Sequence, residues 1–256
     1  MARKIVVTGG KGGVGKTTIA VALAAQLGEL GKKVVIFDAD FGLNNVDLVT
    51  GVEKLVTYDI VDVIEGKCRA KQALVRPPQT MNLYVLSSAK ASAERYVSPQ
   101  AVKLVLDALA PLFDYIIIDC PAGVEEGFHR AASNADEAII VATPDVPSIR
   151  DEDKVVHLLK GYELQSMHLI VNKVRGDLLL DGEILSPAEM VNILKIPLLY
   201  VFEETSAPKK GRYFLEDKNY KILAQNVKTG KHRIPDVTRK YVGFFGAVKR
   251  MLKRSL

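Results

Sequence analysis

The chain has 256 residues, 48% apolar and 25% charged, a balance that suits one ordinary domain with a large core and argues against a disordered or fibrous protein. No run of eighteen apolar residues is present and the N-terminus lacks a long apolar stretch, so neither a membrane-spanning helix nor a signal peptide is expected, and a cytoplasmic protein is. The net charge of +5 is uneven: from Lys228 onward nine Lys or Arg face Asp236 alone, a local charge of +8, leaving −3 on the rest, so the tail calls for an anionic partner.

The first predicted element is a strand, Lys4 to Thr8, running directly into Gly10-Lys11-Gly12-Gly13-Val14-Gly15-Lys16-Thr17-Thr18. Gly10, Gly15, Lys16 and Thr17 satisfy GxxxxGK[S/T], the loop whose bare backbone N–H groups curl around nucleotide phosphates. Glycines permit close backbone approach, Lys16 carries an ammonium to the β- and γ-phosphates, and Thr17 offers a hydroxyl to Mg²⁺. The helix expected next, Thr17 to Leu30, adds its positive end. The same stretch also fits the dinucleotide fingerprint, with Gly10, Gly12 and Gly15 as its glycines and Asp38 where a ribose-binding acid would sit. That reading has no use for Lys16-Thr17-Thr18 and predicts no second acid at the end of a later strand.

A strand over Lys33 to Asp38 leads into Asp38-Ala39-Asp40, followed by Phe41-Gly42-Leu43-Asn44-Asn45-Val46-Asp47. Asp40 is placed to hold or polarise a water near a γ-phosphate, or to reach Mg²⁺ through water, and the loop after it could respond to that phosphate. Helices are expected over Tyr58 to Glu65, Ala70 to Leu74 and Pro99 to Leu109, with a strand over Leu83 to Leu86. The apolar strand Tyr115 to Asp119 then ends on the acid that matches the Mg²⁺ side of the site. Pro121 and Gly123 after it mark a second phosphate-side loop. Helix, strand and helix follow over Glu126 to Ser133, Glu137 to Ala142 and Val146 to Lys160, and then the strand His168 to Asn172. Pro187 to Leu194 reads as helix and Pro197 to Phe202 as strand.

Short apolar runs alternating with helices mean an α/β fold with a mostly parallel sheet covered by helices on both faces. Ligands in such sheets bind at the carboxyl ends of the strands, where the loop, Asp38, Asp119 and Asn172 all fall. Cys68 and Cys120 lie far apart without CxxC or paired-His spacing, so they read as small apolar residues rather than as a disulfide or metal site. At the end of the chain, Phe244, Phe245, Val248, Met251, Leu252 and Leu256 share one arc of a helix. Lys249, Arg250, Lys253 and Arg254 take the other side, the pattern of an interfacial helix. A helix packed on its own domain, a DNA-binding tail and an unstructured basic end are the alternatives.

Lys11 turns the loop into the deviant form KGGxGKT, and with FDADFGLNNVDL, IIIDCPAGVE and ADEAIIVATPDVPSIRDEDK the chain resembles the ParA/MinD family of dimerising P-loop ATPases, of SIMIBI type, and within it the septum-placing branch. The resemblance covers roughly residues 1 to 200 and the last fifteen. It implies an ATPase domain over 1–240 and a membrane-targeting helix over 241–256. It implies an ATP-dependent homodimer, with Lys11 reaching across to the partner's ATP and Lys16, Thr17 and the loop residues Gly10, Lys11, Gly12, Gly13, Val14, Gly15 and Thr18 holding phosphates. Lys11, Lys16 and Asp40 would be the catalytic residues, and Thr17, Asp40 and Asp119 the Mg²⁺ side. Asn172 matches the position that contacts adenine in the family; a strand-end Asn capping a turn is the alternative. The implied partners are a division inhibitor, an ATPase activator and the anionic inner membrane surface. That surface would be met by Phe244, Phe245, Val248, Lys249, Arg250, Met251, Leu252 and Lys253. The alternative within the family is a partition ATPase that binds DNA. The chain departs from the family pattern over 203–235, which puts the base pocket and partner surface built there in question. The helix near Ser148-Ile149-Arg150-Asp151, partner-facing in the family, reads by itself as a solvated charged face.

Overall fold

The computed structural model describes residues 2–41, 43–88, 97–205, 213–243 and 246. Its elements in chain order begin with β1 Arg3–Thr8, α1 Lys16–Glu29, β2 Val34–Asp38, α2 Asn45–Thr50, α3 Ile60–Ile64, β3 Leu74–Val75, β4 Leu83–Leu86 and α4 Pro99–Leu109. They continue with β5 Tyr115–Asp119, α5 Glu126–Ala132, β6 Glu137–Ala142, α6 Val146–Leu159, β7 Ser166–Val174, α7 Gly176–Leu180, α8 Pro187–Leu194, β8 Leu198–Glu203, α9 Tyr213–Glu216 and α10 Lys218–Thr229. The eight strands form one sheet in the order β3-β4-β2-β5-β1-β6-β7-β8, parallel throughout except for the edge pair β3 and β4.

The apolar runs are continuous because both faces of the sheet are covered. Val6, Val35, Ile116, Ile118 and Ile140 face one core, with α4, α5 and α6, while Ile5, Ile36, Ile117, Ile139 and Ile170 face the other, with α1 and α10. Register fixes the site. β2 and β5 run side by side so that Asp38 pairs with Asp119, and β1 sits beside β5 with Val7 opposite Asp119. The end of β1, where the phosphate loop starts, is thereby set next to two carboxylates.

One expectation is corrected. The helix over Ala70 to Leu74 is a 3-10 turn, Ala70–Ala73, from which Leu74 and Val75 leave to pair with Leu86 and Val85. Arg76-Pro77-Pro78 explains it, since the residue before a proline is driven out of the helical region and prolines cannot continue a helix. The stretch 203–235 contains a well-formed helix. Asp217 caps α10 by accepting from Asn219 N–H, and Gly230 ends it at φ 70°. Tyr220, Leu223, Ala224 and Val227 of α10 are buried against α1, which lies between α10 and the sheet with Ile19 to Gly28 all buried. The short helix α7 and the edge strand β3 were also not anticipated. Cys120 is buried but Cys68 only partly so. Among the described residues no helix is long and apolar enough to cross a membrane. The proposed membrane residues Phe244, Phe245, Val248, Lys249, Arg250, Met251, Leu252 and Lys253 lie outside the described residues.

Candidate nucleotide site

The loop between β1 and α1 is shaped by backbone geometry. Gly13 and Gly15 adopt φ of 75° and 102°, a region closed to most side chains, and Gly15 is the residue from which α1 starts. A Cβ on Gly15 would also lie 2.5 Å from the Asn172 amide nitrogen, so the loop closes onto β7 only as glycine. Asn172 donates its amide to the Val14 carbonyl at 2.7 Å, and Lys173 donates its ammonium to the Gly13 carbonyl at 2.7 Å. Asn172 is inside β7, where the pairing with β8 shifts register and Lys173 takes φ 56°, rather than at a strand end. It braces the loop.

Inside the loop Lys16 is buried and donates to the Lys11 carbonyl at 3.1 Å. Burial pulls its pKa down, opposed by Cys120, Asp119, Glu152 and Asp40 nearby. Lys11 is exposed, with its ammonium 3.4 Å from the Asp145 carboxylate. Asp145 is spoken for, accepting from the Thr143 hydroxyl and the Ser148 N–H at the start of α6. Both members of the Lys11 pair are nearly half exposed, so the contact is worth only about 0–1 kcal/mol and Lys11 is free to leave it.

The two strand-end acids differ. Asp38 accepts from the N–H groups of Asp40 and Val46, so it folds the following loop over itself. Burial still pushes it up to about 7. Asp119 is wholly buried, and neither of its oxygens has a hydrogen-bond partner. Burial, then the charge of Asp38, raises its pKa well above the carboxylate range, against the weaker pull of Thr17 and Lys16. An uncompensated buried carboxylate costs several kcal/mol, which a cation at that point would remove. Thr17, Asp119 and the half-buried Asp40 are hard oxygen donors of the kind Mg²⁺ takes. Among the described residues no three His, Cys, Asp or Glu gather into a metal cage.

Around this centre the loops are tied together by contacts that motif reading passed over. Ser88 donates its hydroxyl to the Asn44 side chain at 2.8 Å, and Ser87 donates to Asp47 at 2.8 Å, fixing the loop after Asp40 to the end of β4. The Arg130 guanidinium of α5 sits 4.7 Å over the Phe41 ring, joining that loop to the one after Asp119. The hydroxyls in Ser87-Ser88 at a strand end were a legible signal; the Arg130 contact, 89 residues distant, was not. Two cavities flank the phosphate loop. One, of about 340 Å³, lies between Lys11 to Val14 and Pro144, Leu178 and Ile184. The other, of about 520 Å³, is walled by Gly15, Thr18, Asn172, Phe202, Glu204 and Tyr220, so β8 and α10 contribute to it from the stretch that departs from the family pattern.

A parallel sheet whose first strand ends in this loop, beside two acid-tipped strands, defines a P-loop nucleoside triphosphatase, and Lys11 makes it the deviant Walker A kind. A family model described as an AAA domain matches residues 2–167. The septum site-determining protein MinD of Synechocystis is 36% identical over 258 residues, 99% of this chain and 97% of that one. The chain belongs to the MinD family of septum site-determining ATPases. Solved structures agree with it: a MinC:MinD cell division complex of Aquifex aeolicus matches with a TM-score of 0.81 at 34% identity, covering 91% of this chain and 98% of that one. MinD of Pyrococcus horikoshii complexed with Mg-ADP matches at 0.78 and 30%, covering 90% and 97%.

Proposed function

We propose that this protein is an ATP-dependent dimerising switch that binds the inner face of the cell membrane when loaded with ATP and recruits a division inhibitor there to set the position of the septum. The observation that carries the reading is the contrast within one loop: Lys16 is buried at the phosphate side beside the partnerless Asp119 carboxylate, while Lys11, one turn away, is exposed on a weak contact. Lys16 would leave the Lys11 carbonyl for the β- and γ-phosphates. Thr17, Asp119 and Asp40 would hold Mg²⁺, which neutralises phosphate charge when bound. Lys11, released from Asp145, would reach the nucleotide of a second copy, and Asp40 would orient the attacking water. Leu43 and Leu48, 67% and 63% exposed in the loop and helix that follow Asp40, supply apolar surface for such a contact. A division inhibitor as partner is suggested by the MinC:MinD complex among the similar structures.

The membrane end of the proposal rests on the sequence of residues 241–256, a targeting helix appended to an ATPase domain of 1–240. Four cations contribute about 1 kcal/mol each against an anionic surface. Partial insertion of the apolar arc adds roughly 5–10 kcal/mol, and ordering the segment costs at least about 1 kcal/mol per residue. One helix is therefore a marginal anchor. Two on a dimer gain about 10² to 10⁴ in avidity. Co-sedimentation of the full chain with anionic vesicles and, separately, with duplex DNA tests the proposal. Vesicle binding is expected with ATP and not with ADP, and it should vanish on removal of residues 242–256. Binding to DNA but not to vesicles would replace the membrane reading with that of a partition ATPase.

A further inference from the structure

Helix α6 brings a carboxylate against the start of the phosphate loop that no motif pointed to. Glu152 is wholly buried, and its Oε2 accepts from the Gly10 N–H at 2.9 Å. Its Oε1 has no hydrogen-bond partner. The packing leaves no slack: a Cβ on Gly9 would lie 3.3 Å from that oxygen and 2.6 Å from the Val141 carbonyl, and a Cβ on Gly10 would lie 2.8 Å from Asp151. The Gly10 amide, which heads the loop's row of donors, is thus committed to the protein's own carboxylate and withheld from phosphate.

We propose that Glu152 is a proton-coupled positioning residue: it anchors the first turn of the loop through Gly10 and takes up a proton when nucleotide phosphates fill the loop. The reason is electrostatic. The Gly10 amide, with a contribution from the Lys11 amide, and the nearby Lys16 ammonium favour the carboxylate, while Asp151 on the same helix opposes it. The Lys11 ammonium is turned away, toward Asp145. Burial outweighs these and already lifts Glu152 to about 7. Phosphates add negative charge to the same loop and draw Lys16 toward themselves, so both changes favour the protonated acid. The inference rests on the loop binding nucleotide.

The test is calorimetric titration of the full chain with Mg·ADP at pH 7 in two buffers of different ionisation enthalpy, for the wild type and Glu152→Gln. The wild type should take up about half a proton more than the variant, because a group titrating near 7 is half protonated before binding and fully so after. Above pH 7 its affinity should weaken more steeply than that of Glu152→Gln, by up to about tenfold more per pH unit. The difference between the proteins isolates Glu152 from Asp38 and Asp119. A purely structural role would alter affinity at every pH alike. Glu152→Ala serves where the amide is not tolerated. Equal proton uptake in wild type and either folded variant overturns the proposal, and failure of the wild type to bind Mg·ADP at any pH overturns the nucleotide reading beneath it.

Discussion

Lys16 is held by a neutral carbonyl of Lys11 and not by an ion pair, so moving it to phosphate breaks one ordinary hydrogen bond. Replacing it with Ala removes that charge while leaving the glycine backbone intact. Calorimetry should then show no Mg·ATP binding at concentrations that saturate the wild type, with an unchanged circular dichroism spectrum. Binding of NAD⁺ as tight as that of ATP by the wild type would instead restore the dinucleotide reading of the same glycines. At the opposite end of the sheet, Glu137 accepts two hydrogen bonds from Arg3, at 2.6 and 2.8 Å, and one from Ser166. Burial would raise its pKa, but Arg3 and Ser166 prevail and hold it below the usual carboxylate range. A depressed acid contributes stability above its unfolded value and loses it as pH falls through the folded one. Glu137→Gln should therefore lower unfolding stability by about 1 kcal/mol at pH 7, discounted for the exposure of Arg3, and by progressively less as the pH falls below the unfolded carboxylate value, as measured by denaturant titration.

At the scale of elements, α10 shows how a signal present in the residues was hidden by composition. Tyr220, Leu223, Ala224 and Val227 follow helical spacing between Asp217 at the start and Gly230 at the end, yet the surrounding lysines make the stretch look like a polar linker. What α10 does was not legible at all. It covers the outer side of α1, which is apolar around most of its circumference and for that reason gives a weak amphipathic pattern. Gln26, buried within α1, donates its amide to the Phe214 and Leu215 carbonyls and so fixes α9 beside it. Leu223 is fully buried in this layer. Leu223→Ala should cost about 2–5 kcal/mol in unfolding free energy. Because α1 begins at the phosphate loop, nucleotide affinity should weaken with it. A loss of under about 1 kcal/mol would mean that α10 is not packed as described. Helix α6 illustrates the mixed case: Arg150, Asp153 and Lys154 are the solvated face the sequence suggested, while Ser148, Ile149 and Glu152 are buried, Glu152 against the loop.

For the whole molecule, the proposed function divides holding the nucleotide from using it. Asp40 is half-buried, and its carboxylate lies 3.5 Å from the Asn45 amide in a loop shaped by Asp38. Lys11 stands apart on the other side of the loop, near Asp145. Asp40→Ala should accordingly give a protein that forms an ATP-dependent dimer but does not turn over, with light scattering reporting mass and phosphate release reporting turnover. A single mass for its ATP-bound and nucleotide-free forms would contradict the switch. The basic C-terminal stretch, +8 against a body of −3, adds a salt dependence to surface attachment that dimerisation should not share.

By itself the sequence determined the chemistry of the loop and the class of fold, because both are local. GKGGVGKTT needs only its own backbone freedom and charges, and apolar runs of five or six residues between helices have few ways to bury themselves other than a parallel sheet. Tertiary structure decided everything that depends on distant strands lying side by side. Asp38 and Asp119 face each other across 81 residues because β2 and β5 are neighbours in register. Asn172 braces Val14 because β7 bulges where the loop closes on it. Glu152 is a buried partner of Gly10 instead of one more charge on a solvated helix. Helical periodicity tells which face of α6 is polar; only packing tells which polar group is taken out of water, and that desolvation is what gives Glu152 its chemistry.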